Sequence, residues 1–387
     1  MIYFDYNATH PPFTDILKQG VDAYSDNFAN ASGISYPSQK NQGRIEKARQ
    51  QIADDIEKLH QTKINPDQIL FVSTGTEALH HLVAAFANLI QSNVSSKSNS
   101  KSKPVILTSP YEHGAFEAAC RFSNLSIERL PANQDGLVDL DSVRQRLRQG
   151  GIDVVSVMSI CNESGVIQPV HKIAKVCAEF EIPFFSDTIQ SAGKLPVSFD
   201  QIQGGILNGH KIGAGYGCAA VWLGEGISFQ PIFQGGLQEN ERRAGTENLP
   251  AILSLAASLK RQLQHIESEN RPFRHSRHKR IEEMLIQTCD AAIVGERSDR
   301  SNTSYAVFSK MQNMDFLLMA LDKAGILCST GSSCKSRTRQ PASSLIQMGF
   351  SANEALQALR FSTGLFTTDQ ETDQFIELFP SLYRKCL

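Results

Sequence analysis

Four places in this 387-residue sequence put reactive side chains just after short apolar runs. Asn208-Gly209-His210-Lys211 follows the run Gly205–Asn208, and its lysine can form a Schiff base with an aldehyde once its amine is deprotonated. Desolvation and neighbouring cations lower a lysine pKa in that direction. The flanking glycines Gly204, Gly205, Gly209, Gly213, Gly215 and Gly217 favour a tight path over a surface loop. Asp187 closes the run Pro183–Asp187, and Gln190 follows it. A buried carboxylate needs a partner. A protonated pyridine nitrogen would serve, and the pairing would keep the ring an electron sink. The plainer alternative is a helix-capping aspartate. Thr74-Gly75-Thr76-Glu77 stands between a strand-like run and a helical one. A helix start offers free N–H groups to an anion, with Gly75 allowing close approach and Thr76 a hydroxyl donor. An ordinary threonine cap explains the same residues. Glu112-His113 follows Val105–Ser109; His113 can lie over a flat ring and move protons, or be a hydrogen-bonded loop histidine.

Cys334 differs from the other cysteines in its company. Small residues precede it at Ser329–Ser333, and Lys335, Arg337 and Arg339 follow. Neighbouring cations favour the thiolate, the nucleophilic form. The remaining seven of the eight cysteines are scattered, with no C-x-x-C pair, which argues against a disulfide framework or a zinc site.

These groups need a scaffold that brings strand ends together. From about residue 65 to 225, continuous apolar runs alternate with helical stretches such as Glu77–Ile90 and Val170–Glu181. The runs are Ile69–Ser73, Val105–Ser109, Val154–Ile160, Pro183–Asp187, Gly205–Asn208 and Cys218–Leu223. Continuous rather than alternating apolarity suits strands covered on both faces, so the pattern predicts a largely parallel α/β sheet. Ligands in such sheets gather at the carboxyl ends of the strands. A long helical region from Leu249 leads to a smaller α/β part with Tyr305–Ser309, a helix over Asp315–Ala324, and Leu359–Ser362. The expected division is a large domain over 15–255 and a small one from 1–14 and 256–387.

The chain is 41% hydrophobic and 20% charged, with a formal net charge of −2. That balance is globular and predicts neither a nucleic-acid nor an anionic-membrane partner. Arg271–Arg280 reads as a solvated basic face, and Ser92–Lys103 as a polar loop. The start, MIYFDYNATHPPF, lacks a signal-peptide pattern, and a cytoplasmic location is the default expectation.

Taken in order, YFDYNAT (Tyr3–Thr9), STGTEA (Ser73–Ala78), YEHGA (Tyr111–Ala115), VSVMSICNESGVIQPV (Val155–Val170), SDTIQSAGKLPV (Ser186–Val197), NGHKIGAGYG (Asn208–Gly217), GGLQENERRAGTEN (Gly235–Asn248), GSSCKS (Gly331–Ser336) and RFSTGLFTT (Arg360–Thr368) span nearly the whole chain. The set resembles the cysteine desulfurases, NifS- and IscS-like members of the class V aminotransferase-fold enzymes. The resemblance implies fold type I, with a mostly parallel seven-stranded sheet and a smaller C-terminal α/β domain.

It also implies pyridoxal 5'-phosphate as coenzyme, linked to Lys211, with His113 stacked on the ring. Asp187 would pair with the ring nitrogen and Gln190 with the ring hydroxyl. Gly75, Thr76, Asn208 and His210 would hold the phosphate, and Thr246 would reach the phosphate of a partner subunit in a homodimer. Asn162 and Arg360 would meet the substrate, Arg360 clamping its carboxylate. The implied reaction converts L-cysteine to L-alanine and leaves sulfur as a persulfide on Cys334 for an acceptor protein, an iron–sulfur scaffold or a sulfur carrier. No metal is implied. A C–S or selenocysteine lyase, and a scaffold protein without activity, are the alternatives. The sequence departs from the family pattern at three places. Asn208 replaces a serine, Cys161 replaces the first asparagine of Asn-Asn-Glu, and Ala31–Ser35 lacks an expected histidine.

Overall fold

The strand-like runs become strands because both of their faces find helices to bury against. The computed structural model describes residues 1–94, 103–269, 276–331 and 340–387. Cys334, Lys335, Arg337 and Arg339 therefore lie outside the described residues, as do 95–102 and 270–275.

The first part of the chain runs β1 (Ile2–Tyr3), α1 (Thr14–Asp26), α2 (Tyr36–His60), β2 (Ile69–Val72), α3 (Gly75–Val94), β3 (Val105–Thr108), α4 (Gly114–Phe122) and β4 (Ser126–Arg129). It continues through α5 (Leu140–Arg148), β5 (Val154–Ser156), α6 (Val170–Glu179), β6 (Phe184–Phe185), β7 (Gly204–Asn208), β8 (Ala219–Leu223) and α7 (Leu249–Glu269). The last part comprises α8 (Ser276–Cys289), β9 (Ala292–Ile293), β10 (Thr303–Val307), α9 (Met314–Lys323), β11 (Ile326–Leu327), α10 (Ser343–Gln347), α11 (Ala352–Leu356), β12 (Ala358–Ser362) and α12 (Asp369–Lys385).

The expected single seven-stranded sheet takes the form of two regular ladders. One is parallel in the order β4-β3-β5-β6; the other is antiparallel in the order β2-β8-β7. They meet where Ser186 N donates to Gly204 O (3.0 Å) and Gln203 N to Phe184 O (2.9 Å). β6 holds only two regular residues before the backbone leaves for Asp187, so no continuous ladder forms there. Residues alternate between the two covered faces as strand geometry requires. Phe71, Leu107, Val155, Leu207 and Trp222 enter the core shared with α2, α5, α6 and α7. Leu70, Val72, Ile106, Ile206 and Val221 enter the core under α3 and α4.

The C-terminal part forms an antiparallel β12-β10-β9 sheet packed by α8, α9 and α12. The start of the chain belongs with it. β1 pairs in parallel with β11, Asp5 bridges to Ser362, and Phe4 is fully buried among Phe361, Phe375 and Phe379. Residues 5–10 then cross to the end of the central sheet that carries the reactive groups. Among the described residues no helix is long and apolar enough to cross a membrane.

Candidate active site

The helix start after β2 is capped by its own residues. Glu77 N donates to Thr74 Oγ1 (3.1 Å), and the Glu77 carboxylate accepts from Ser73 N (2.8 Å) and Arg243 Nε (2.8 Å). Those bonds satisfy the cap from within, so the cap reading of Thr74 holds. Gly75 is a separate matter. A Cβ there would fall 2.5 Å from Asn208 Nδ2 and 2.8 Å from Ile189 Cδ1, so only glycine lets the helix start come this close to Asn208. The Asn208 side chain is buried and accepts no cap bond, and Thr76 beside Gly75 is exposed. His210, the next polar residue after β7, is held by Thr9 Oγ1 (3.2 Å) and stacks on Tyr216. Burial, followed by the charges of Lys211 and Lys194, pushes the His210 imidazole down to about 4, so it is neutral near pH 7.

Lys211 follows immediately in a short turn. Its Nζ donates to the carbonyl oxygens of Asn7 (2.6 Å) and Ala8 (2.8 Å). Asp187 is buried at the end of β6, and its Oδ1 accepts from Ile189 N at 3.0 Å. Among the described residues it has no ion-pair partner within 4 Å. Burial pushes its carboxyl up from the usual range, while Ile189 N–H and the charges of His113 and Lys211 oppose that shift. The group is a desolvated acid that lacks a contact cation and lies close enough to Lys211 and His113 to feel both. Gln190 Nε2 donates to the same Asn7 carbonyl at 3.1 Å, and Lys194 Nζ donates to Gln190 Oε1 at 2.7 Å.

His113 caps α4, its Nδ1 accepting from Ala115 N at 3.1 Å, which fixes the ring and leaves Nε2 as the other site. The neighbouring Glu112 accepts from Ser109 Oγ (2.6 Å) and Met158 N (2.8 Å) on one oxygen, while its other oxygen is buried without a partner. Burial pushes this carboxyl up to about 8.

Arg360, on β12, faces these groups from the C-terminal part. It is 1% exposed; its guanidinium donates to Asp5 Oδ1 (2.7 Å), Asn162 O (2.8 Å) and Gly331 O (3.2 Å), and its Nε is buried without an acceptor. Asn7 ties the parts together. Its side chain donates to Asn162 O (3.2 Å) and Thr303 Oγ1 (2.9 Å), and its N–H to Ser362 Oγ (3.0 Å). Cys161, next to Asn162, is buried in the packing beneath Tyr305. Asn7, Asp5 and Lys194 were not singled out from the sequence, although Asp5, Asn7 and Lys194 all fall inside the quoted motifs YFDYNAT and SDTIQSAGKLPV.

Thr246 stands apart. It is exposed on the loop after β8 and bonds to none of the described site residues. That loop is held by a buried ion pair. Arg49 donates to both oxygens of Glu239 (2.8 and 2.9 Å), and Glu239 also accepts from Phe71 N (3.0 Å). Glu239, Asn240 and Glu241 all adopt left-handed backbone conformations, with φ of 51°, 55° and 66°. Such a run is strained for residues with a Cβ and persists only when held by its surroundings. Exposed Tyr216, Phe233 and Leu237 flank this region.

These residues fit a flat cationic ring bearing a phosphate. The donors at Gly75 and Asn208 suit the phosphate, the unpaired Asp187 suits a ring nitrogen, and Lys211 suits an aldehyde carbon.

Comparison with known proteins agrees with that geometry. The family model "Aminotransferase class-V" matches residues 2–375. The chain is 29% identical to cysteine desulfurase IscS of Dictyoglomus turgidum, over 99% of this chain and 95% of that protein. It is similar in structure to a NifS-like protein from Rickettsia africae, with TM-score 0.83, 26% identity and 99% of each chain covered. It is also similar to SspA in complex with cysteine, with TM-score 0.76, 25% identity, and 95% of this chain and 100% of that one covered. A match over this whole span, on a sheet whose strand ends converge on Lys211, places the chain in the aminotransferase class-V family, within its cysteine desulfurase branch.

Proposed function

We propose that this protein is a pyridoxal-phosphate-dependent cysteine desulfurase, converting L-cysteine to L-alanine and passing the sulfur to Cys334. One observation carries the reading. Lys211 and the Arg360 guanidinium both bond to a single segment, Asp5–Ala8, and the desolvated Asp187 lies close enough to Lys211 to feel its charge. When bound, the coenzyme supplies an electron sink next to the substrate Cα. The chain supplies the rest. Asp187 holds the ring nitrogen, and Gln190 the ring oxygen. Gly75, Thr76, Asn208 and His210 hold the phosphate, and His113 covers the ring. Arg360, with Asn162, orients the substrate carboxylate. Lys211, held by two carbonyl oxygens, is placed to carry a proton to and from Cα once its amine is free.

Cys334 is the proposed nucleophile. Its thiolate attacks the substrate sulfur, forming an S–S bond as the C–S bond breaks; the electron pair of the broken bond stays with the alanine skeleton, which takes up a proton. The chain would divide into domains at 15–255 and, carrying the Cys334 segment, 1–14 with 256–387. The exposed Thr246, on a loop locked by Arg49 and Glu239 and flanked by exposed Tyr216, Phe233 and Leu237, supports a homodimer in which Thr246 completes the partner's phosphate site. The final recipient would be a sulfur-acceptor protein.

The test is incubation of the coenzyme-loaded protein with L-cysteine, measuring alanine and sulfide and the mass of the peptide carrying Cys334. Alanine with a Cys334 persulfide supports the reading. Sulfide with an unmodified Cys334 would make the protein a lyase. Absence of any coenzyme-linked visible absorption would leave the scaffold alternative. Borohydride reduction followed by peptide mapping should mark Lys211, and a label on another lysine would end that assignment.

A further inference from the structure

Lys194 has no role in the chemistry described so far, yet its half-buried amine lies beside it, on the wall of a cleft. It follows Gln190 by one helical turn's spacing, and its Nζ donates to Gln190 Oε1 at 2.7 Å. No carboxylate lies within 4 Å of it among the described residues, and the cleft it borders, with Tyr6, His10, Gln262, His265 and Arg277, has no acidic lining residue. The titratable and charged groups that feel it are Lys211, Arg360, His10 and His210. Burial, then Lys211 and Arg360, drives its amine well below the usual lysine range. An amine in this setting still serves as a hydrogen-bond donor.

A primary amide can face either way, and its orientation is decided by its neighbours. Here both neighbours agree. The Lys194 amine occupies one end of Gln190, and the Asn7 carbonyl, an acceptor only, occupies the other at 3.1 Å. The Asn7 carbonyl is the same atom that accepts from Lys211 Nζ at 2.6 Å. We propose that Lys194 is a positioning residue that locks the Gln190 amide with its N–H groups toward the coenzyme ring oxygen. This rests on the coenzyme reading above. Without Lys194 the amide is held only by the Asn7 carbonyl, at 3.1 Å and already shared with Lys211, so Gln190 is freer to turn its carbonyl toward that oxygen and replace a donor by an acceptor.

The consequence can be read in the absorption of the bound coenzyme. A donor on the ring oxygen stabilises negative charge there and weakens the hold of the neighbouring Lys211 linkage on its proton. Loss of the donor raises the pH midpoint of the visible absorption change.

The experiment loads wild-type, Lys194→Met and Lys194→Ala proteins with pyridoxal 5'-phosphate and titrates the visible band with pH. Either variant removes the donor, so one reports if the other fails to fold. The expected result is a midpoint raised by about 0.5 pH unit or more, with Lys194→Arg returning it toward wild type. In a Gln190→Ala background the same Lys194 substitution should move the midpoint by less than about 0.2 unit, because the two effects pass through one group. An equal shift in both backgrounds would show a simple charge effect and overturn the proposal, as would no shift in either. A wild-type protein that gives no visible band at all would overturn the coenzyme reading instead.

Discussion

Arg360 and Asp5 stand 2.7 Å apart, guanidinium to carboxylate, although 355 residues of sequence separate them. The arginine is enclosed and the aspartate is 19% exposed in its side chain. The same guanidinium also reaches the Asn162 carbonyl, so its plane is fixed before any substrate arrives. Arg360→Lys keeps the charge but loses the fork that matches a carboxylate. KM for cysteine should rise about tenfold or more, equivalent to about 1.4 kcal/mol, while coenzyme content stays normal. Asp5→Asn should destabilise the fold by about 2 kcal/mol in urea unfolding. That is below the ~3–5 kcal/mol of a fully enclosed pair, because water still reaches Asp5.

Asp187→Ala should weaken coenzyme binding by about 3–5 kcal/mol, the scale of breaking a buried ion pair. Equilibrium dialysis against pyridoxal 5'-phosphate measures it. Near-normal affinity would reduce Asp187 to the turn-capping role shown by its bond to Ile189 N.

Cys334→Ala and Cys334→Ser should leave coenzyme binding intact and still give spectral change on adding cysteine. Those early steps use Lys211 and the ring. Alanine formation should fall by orders of magnitude, since a hydroxyl is a poor replacement for a thiolate. Turnover near the wild-type rate would remove Cys334 from the mechanism.

His10, His60 and His81 are each pushed down to about 4 by burial. In the unfolded chain each titrates near pH 6.5. Between those values the unfolded chain binds more protons, so stability rises with pH. It is fully present above about 6.5 and is lost as pH falls through 4. Each histidine contributes a slope of up to about 1.4 kcal/mol per pH unit. His60 is fully enclosed, stacked 3.9 Å from the Phe199 ring, with bonds to Val197 O and Gly193 N. His60→Gln should therefore flatten the acid side of the stability profile by about one proton, measured by urea unfolding at pH 7 and 5. An unchanged slope would exclude His60 as a contributor.

Much of the central sheet was legible because its strands are apolar on both faces, a pattern that survives without knowledge of their partners. β4 was missed for the opposite reason. Ser126–Arg129 is an edge strand, half exposed and partly charged, with no apolar run to mark it. The irregular junction between β6 and β7 was equally hidden, since it follows from how few residues β6 offers. Lys211, Asp187 and Gly75 could be proposed individually from their places at strand ends. The bond from Lys194 to Gln190 and the ion pair of Asp5 with Arg360 could not. Each joins residues whose types are ordinary, and only tertiary contact gives them meaning. Cys334 lies outside the described residues, so its reading rests on its neighbours in sequence and on the family.

The Asn7 contacts also set an order of assembly. Its backbone and side chain bond to Asn162, Gln190, Lys211, Thr303 and Ser362, at separations of 155 to 355 residues. Contacts of that span form late, because the intervening chain must be ordered before they reward the closure. A chain emerging from the ribosome can fold β2 through β8 and their helices while the reactive lysine still lacks its two carbonyl acceptors. Those arrive only when β12 is made and draws the first residues across. The centre is thus closed where residues 5–8 meet β12 over the end of the central sheet.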